Sequence, residues 1–287
     1  MAEYCSHRIV PPAVLVAALL AGAAPAAAQD APIELADDPF EITDPVAAAP
    51  GTAEIGFVGI YERARRGRVR STGAGETELE FGVAPRLELR IGGSGAYGAL
   101  ETRRRLGNAP GLEEGDAAQP DGGERARWGG TARIGALYQI SEERGAAPAI
   151  GALGRLRTLY GPGRTGYEAE GVLLVGKTFR GIGDLSFGAH ANLGWTTRLD
   201  PQPGDRTNRY LFNASLGQAV TPDTALVVTY ARSQQERDER DYSLLQAGIR
   251  HSLAGGRAVV GLAAGAGLSR DTPRFQIAFA LQWVLRE

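Results

Sequence analysis

Cysteine is all but absent from this chain of 287 residues, and its one copy, Cys5, lies within the first ten positions. Beyond it no thiol is present to form a disulfide, attack a substrate or hold a metal, so stability must come from burial and strand pairing. Lysine is nearly missing too, with Lys177 the single copy among 31 basic residues. Arginine and acidic residues are mixed along the whole length and leave a net charge of -2, which offers no basic stripe to a nucleic acid. No His, Asp or Glu cluster has metal-site spacing, and the Gly92-Gly-Ser-Gly95 run lies inside a strand pattern with no helix after it, so it is no phosphate loop and no cofactor is expected. After the amino terminus no segment approaches the roughly 18 apolar positions of a transmembrane helix. A chain with these absences spans a membrane only as a closed barrel, the other structure that satisfies every backbone polar group.

What remains is glycine, 40 copies or about twice the usual share, and a persistent two-residue alternation. The amino terminus is separate from that alternation. His7 and Arg8 precede the apolar run Val14 to Leu20, and Ala24-Pro-Ala-Ala-Ala28 closes it, which is the layout of a secretory signal peptide over residues 1–28. Residues 29–52 are acidic, rich in Pro and Ala and without periodicity, and are expected to form a disordered periplasmic lead-in, with a short plug as the other reading.

From Ala53 to the end the spacing predicts β-strands. The last is the clearest, with Phe275, Ile277, Phe279, Leu281, Trp283 and Leu285 on one face and Gln276, Ala278, Ala280, Gln282 and Arg286 on the other. Period two with one apolar face and one small or polar face suits a wall between lipid and water. The same pattern recurs in Ile55, Phe57 and Tyr61, in Leu79, Phe81 and Val83 against Glu76, Glu78 and Glu80, and in Leu185 to Trp195 against Ser186, His190 and Asn192. About twelve strands fit into residues 53–287, with ten to fourteen as the bounds. Connections near 85, 145, 182, 222 and 255 are short. Those near 68, 113, 163, 203, 237 and 271 are longer or more polar, the longest being the loop at 102–125. The expectation is an all-β chain, an antiparallel transmembrane β-barrel with both termini on the short-turn side. A secreted β-sandwich would carry Lys, Glu and Thr on its outer faces in place of so many Leu, Phe and Tyr.

Two segments carry a resemblance. Glu76-Thr-Glu-Leu-Glu-Phe-Gly-Val-Ala-Pro-Arg-Leu-Glu-Leu-Arg90 and the closing Asp271-Thr-Pro-Arg-Phe-Gln-Ile-Ala-Phe-Ala-Leu-Gln-Trp283 resemble the outer-membrane proteins grouped as the phenol meta-pathway degradation family, often labelled transporters. The resemblance implies a channel for small molecules, aromatic or hydrophobic ones among them, and brings no catalytic signature. The chain departs from the common barrel ending by running on through Arg286 and Glu287 past its last apolar residue.

On the inward face the alternation places Glu78, Glu80, Glu88, Arg90, Arg133, Arg155 and Arg157. Arg155 and Arg157 sit mid-strand on one face and are the expected selectivity constriction, with anion preference, in a passage that is narrow rather than plugged. The expected partners are outer-membrane lipid, a small solute and, during biogenesis, the barrel-insertion machinery. A structural or adhesive barrel is the second class. An outer-membrane lipid hydrolase is the third, and the histidines speak against it: His251 and Ser252 are adjacent and point to opposite faces of a strand, and His190 faces the lumen, away from lipid.

Overall fold

The computed structural model describes residues 33–99, 125–160, 166–201, 205–235, 240–270 and 272–286. The expected signal peptide and nearly all of the long polar loop lie outside them. The described chain is a closed antiparallel barrel of 12 strands in sequential order. They are β1 (Ala53–Arg63), β2 (Ser71–Ala84), β3 (Leu87–Gly98), β4 (Arg127–Ser141), β5 (Ala149–Tyr160), β6 (Gly166–Arg180), β7 (Ser186–Arg198), β8 (Asn208–Thr221), β9 (Thr224–Ser233), β10 (Tyr242–Leu253), β11 (Ala258–Gly267) and β12 (Phe275–Arg286).

Closure is made by β1 against β12, with Tyr61 opposite Ile277 and Phe57 opposite Leu281, so no strand edge is left to template aggregation. The register is continuous around the ring except for irregularities at Ala53/Glu54, Gly82/Ala84, Gln139/Ser141 and Ala219/Thr221. All four lie at the short-turn rim, where bulges commonly end pairing. The tight turns use left-handed backbone where the sequence permits it, as at Arg86 (φ 68°) and at Ala254, Gly255 and Gly256 (φ 53°, 66° and 91°).

The alternation read from the sequence sets the two faces. Ile91, Leu156, Leu193, Leu216 and Leu262 point outward and each exposes 50% or more of its surface. A belt of this kind is far larger than the apolar patches soluble monomers tolerate and suits hydrocarbon. Aromatic residues bound it at both ends. Tyr97 and Trp128 meet at 4.7 Å between ring centres on the long-loop side, and Phe179 and Phe187 at 6.2 Å on the short-turn side, where interfacial girdles belong.

Residues 33–52 differ from expectation. They form no disordered lead-in but rise from the short-turn end into the lumen, turn near Phe40 and return to β1. Phe40 and Ala36 are fully buried and pack with Ile42 against Val58, Ile60, Val227, Ala263, Ala278 and Ala280 of the inner wall. Ile33 and Leu35 pack against Ala219 and Ala225. The reason is local: four apolar side chains spaced through an acidic stretch have a lumen floor of small residues to bury them. The segment is too short for a domain, and as a loop it still occupies part of the lumen.

Inward glycines make its bed. A methyl group on Gly217 would lie 2.6 Å from the Leu35 carbonyl oxygen, and one on Gly151 2.7 Å from that of Pro45. Gly217→Val is therefore expected to expel the 33–35 limb without touching the lipid face. Hydrogen-exchange mass spectrometry checks it: residues 33–48 should lose protection while the strands keep theirs, and unchanged protection would mean that the limb does not sit on Gly217.

Candidate lumen site

Two unlike halves make the lumen wall. From β9 round to β1 it is mainly apolar or amide-bearing, with Arg250 and Glu62 as its charged members, and Ala36, Phe40 and Ile42 of the inserted segment lie on it. Glu41 is held there, its amide donating to Gln246 Oε1 at 3.4 Å and its Oε1 accepting from the Tyr242 hydroxyl at 3.1 Å. The amides run on as a chain, Gln246 Nε2 to Gln276 Oε1 at 2.7 Å and Gln276 Nε2 to Glu62 Oε1 at 3.0 Å. Arg250, fully buried, donates to the Ala36 carbonyl and, at 2.6 Å, to Gln282 Oε1.

From β2 to β8 the wall carries most of the charge, with carboxylates and guanidiniums on alternate strands or strand pairs beside an apolar patch of Leu137, Leu153, Val172, Leu174 and Leu211. Arg90 reaches Glu88 at 2.5 Å, Glu80 at 3.0 Å and Glu78 at 3.5 Å. Arg133 joins the same network, with Nε 2.7 Å from Glu78 Oε2 and its Nη2 on Glu76. Thus Glu78, Glu80, Glu88, Arg90 and Arg133, five of the candidates, form one cluster. Glu88 also accepts the Ala48 amide at 2.8 Å, which ties the return limb of the inserted segment to the charged wall.

Arg155 and Arg157 fall in a second cluster. Arg155 Nε donates to Glu170 Oε1 at 2.9 Å and Arg157 Nε to Glu168 Oε2 at 2.9 Å. Each guanidinium expected to line a constriction thus faces a carboxylate directly across the β5–β6 register, so the pair gives no bare positive ring and the expected anion preference has no support in this geometry. Glu168 is the hub: it accepts from Arg157, from Arg198 at 3.3 Å and from Arg209. Arg209 was legible, since the parity that exposes Tyr210 and Phe212 turns it inward.

Between Phe40 and the charged wall, among the described residues, lies a cavity of about 60 Å³ lined by Asp37, Asp38, Glu76, Glu78, Arg90 and Arg133 among others. It has room for a few water molecules, well short of the roughly 300 Å³ at which small-molecule pockets begin. Among the described residues the inserted segment thus occupies part of the passage expected to be narrow. The histidines stand apart. His190 Nε2 lies 3.5 Å from Asp44 Oδ2 in the lumen, and His251 Nδ1 is 2.9 Å from Thr224 Oγ1 on the outer face, with Ser252 on the opposite side of β10.

No protein-family model matches this chain, and no curated protein matches it, so the likeness to the phenol meta-pathway degradation family rests on the two segments quoted above. Among solved structures the chain is similar to an outer membrane channel from Pseudomonas putida F1, at 14% identity over 84% of this chain and 98% of that one, with a TM-score of 0.53. The β domain of the Bordetella autotransporter Brka is similar at 13% identity over 82% and 99%, with a TM-score of 0.49. The Pseudomonas putida toluene transporter TodX is similar at 10% identity over 86% and 93%, with a TM-score of 0.41. At such identities the likeness is one of fold, and the chain has the fold of an outer-membrane β-barrel.

Proposed function

We propose that this protein is a passive channel of the bacterial outer membrane for small solutes. In this reading it is exported after removal of residues 1–28, seated by the barrel-insertion machinery and surrounded by outer-membrane lipid, with its long loops outside the cell. The observation that carries the reading is the division of the lumen. A charged wall runs along one side, and the other side is covered by a segment bound mainly through side chains: along residues 33–48 its polar ties to the barrel include Arg250 to Ala36, Gln246 to Glu41 and Glu88 to Ala48. In this reading the segment is the gate, since moving it aside widens the lumen around the cavity.

The finer part of the proposal is the solute. Phe40, Leu153, Val172 and Leu211 give the cavity apolar lining beside Arg90, Arg133 and Arg155. An aromatic ring bearing a hydroxyl or carboxylate would meet both, with guanidinium faces available for stacking. This agrees with the solute class that the resemblance implies.

Proteoliposomes holding the full-length protein are expected to swell faster than protein-free liposomes in isosmotic arabinose, and faster again in sodium 4-hydroxybenzoate. Equal rates with and without folded protein would overturn the channel and favour the structural barrel, a reading that the partly filled lumen also suits. Swelling with no preference for the aromatic solute would overturn only the solute class.

A further inference from the structure

The long-loop rim between β9 and β2 carries a charge that the channel does not use. The β1–β2 connection reads Arg63-Ala-Arg-Arg-Gly-Arg-Val-Arg70, five arginines with no acidic residue before Glu76. Arg65, Arg66, Arg68 and Arg70 are exposed. Arg63 lies on the outward face of β1, 3.4 Å from Ser71 Oγ and 3.5 Å from the Tyr61 hydroxyl. Arg65 donates across the rim to the carbonyls of Gly267 at 2.7 Å and Ser269 at 3.1 Å. The partners that Arg63 and Arg65 meet among the described residues are thus hydroxyls and carbonyls, which fix the guanidiniums in place and leave their charge.

Ser269 also borders a groove of about 410 Å³ with Tyr230, Arg232, Arg240, Asp241, Ser243 and Leu268. Arg232 is oriented there by Asp241 at 2.7 Å. Arg63 and Arg232 each stand two residues beyond an outward tyrosine, Tyr61 and Tyr230, which at the strand rise puts them about 7 Å past the ring level, where headgroups follow an aromatic girdle. Below Arg232, opposite Tyr230, Leu245 is 43% exposed, and Leu268 follows β11 opposite Ser243, at the level of Arg232. Outward-facing guanidiniums above an exposed leucine, with hydroxyls between, match a molecule that has phosphates, sugar and acyl chains in that order.

We propose that this rim sector binds a phosphorylated glycolipid of the outer leaflet, the arginines taking its phosphates in the bidentate manner guanidinium favours and the groove its sugar. From the channel reading the proposal takes only that the long-loop end faces outward.

Native mass spectrometry of the detergent-folded full-length protein tests it, with bisphosphorylated lipid A as the probe and phosphatidylcholine as the comparison. Lipid A adducts are expected to be at least tenfold more abundant than phosphatidylcholine adducts. They should fall tenfold or more in R65Q/R66Q/R68Q/R70Q, a change confined to exposed loop side chains. Should that variant fail to fold, R63Q/R232Q makes the same comparison, with a loss of threefold or more expected. Equal adducts of the two lipids, retention of lipid A by a folded variant, or its full displacement by millimolar inorganic phosphate would each overturn the proposal, the last by marking a free-anion site. Absence of adducts would leave swelling and conductance untouched, and a silent channel would leave this binding untouched.

Discussion

Glu168→Ala is expected to be the most destabilising single substitution in the lumen, costing about 3–5 kcal/mol, the range for removing one partner of a buried ion pair. Glu168 is fully buried and accepts from Arg157, Arg198 and Arg209. Its removal leaves three guanidiniums in a space where desolvation of each was offset by one carboxylate. Partial relief is at hand, because Arg157 has Glu170 at 3.8 Å and Arg198 has Asp205 at 3.3 Å. Glu168→Gln keeps the shape and one acceptor and should fall between alanine and wild type. The contrast is Glu142→Ala at the short-turn rim, where Glu142 pairs with Arg86 at 3.0 Å and both side chains are more than 40% exposed; such a pair contributes about 0–1 kcal/mol. Urea unfolding followed by the heat-modifiable gel shift of a folded barrel measures all three. Equal midpoints for Glu168→Ala and Glu142→Ala would mean that the arginine cluster does not depend on its hub.

The second large effect concerns the inserted segment. Phe40→Ala removes the largest side chain of the inserted segment from its bed against Val58, Ile60 and Ala278. A buried Phe→Ala change costs about 3–5 kcal/mol. The barrel strands keep their pairing, so nearly all of that cost falls on docking of the segment, and at about 1.4 kcal/mol per tenfold the undocked population rises a hundredfold or more. The segment itself supplies the probe. It has no Lys or Arg between residues 33 and 52, and its Glu41 is fully buried, so a glutamate-specific protease cuts at Glu41 only when the segment leaves the lumen. Cleavage at Glu41 is expected to be slow in the wild type and about a hundredfold faster in Phe40→Ala, with the barrel resistant in both. Equal rates would show that the segment does not depend on Phe40 for its place.

Much of this fold was legible because a barrel strand carries its signal in its own sequence. Each strand spans lipid by itself, so Phe275 to Leu285 shows period two whatever its neighbours do, and the same parity turned Arg90, Arg133, Arg155 and Arg157 inward correctly. What parity cannot give is the partner across the lumen. That Arg155 meets Glu170 and Arg157 meets Glu168 depends on the register of β5 on β6, which a single sequence does not print. Without it two mid-strand arginines read as a bare constriction.

The inserted segment was misread for a different reason. Residues 29–52 have neither helical nor strand period, and an acidic Pro- and Ala-rich stretch ordinarily stays in water because it has too little apolar surface to fold alone. Here the apolar surface that orders it belongs to the barrel. A signal did exist in the glycines: Gly82, Gly151, Gly188, Gly217 and Gly261 all fall at inward positions, and each stands against the inserted chain at Ala49, Pro45, Leu35, Leu35 and Pro39. Inward glycines on several strands mark a path cleared for backbone, where a water-filled lumen would tolerate side chains.

Planar-bilayer recording of the purified, detergent-folded protein decides most directly whether this segment gates a transmembrane passage. Wild-type protein should give discrete but rare openings, and Phe40→Ala the same unit steps at least tenfold more often. Silence from a Phe40→Ala barrel that is folded and has lost its protection at Glu41 would contradict the gated channel, because the segment would then be out of the lumen and no passage would lie behind it.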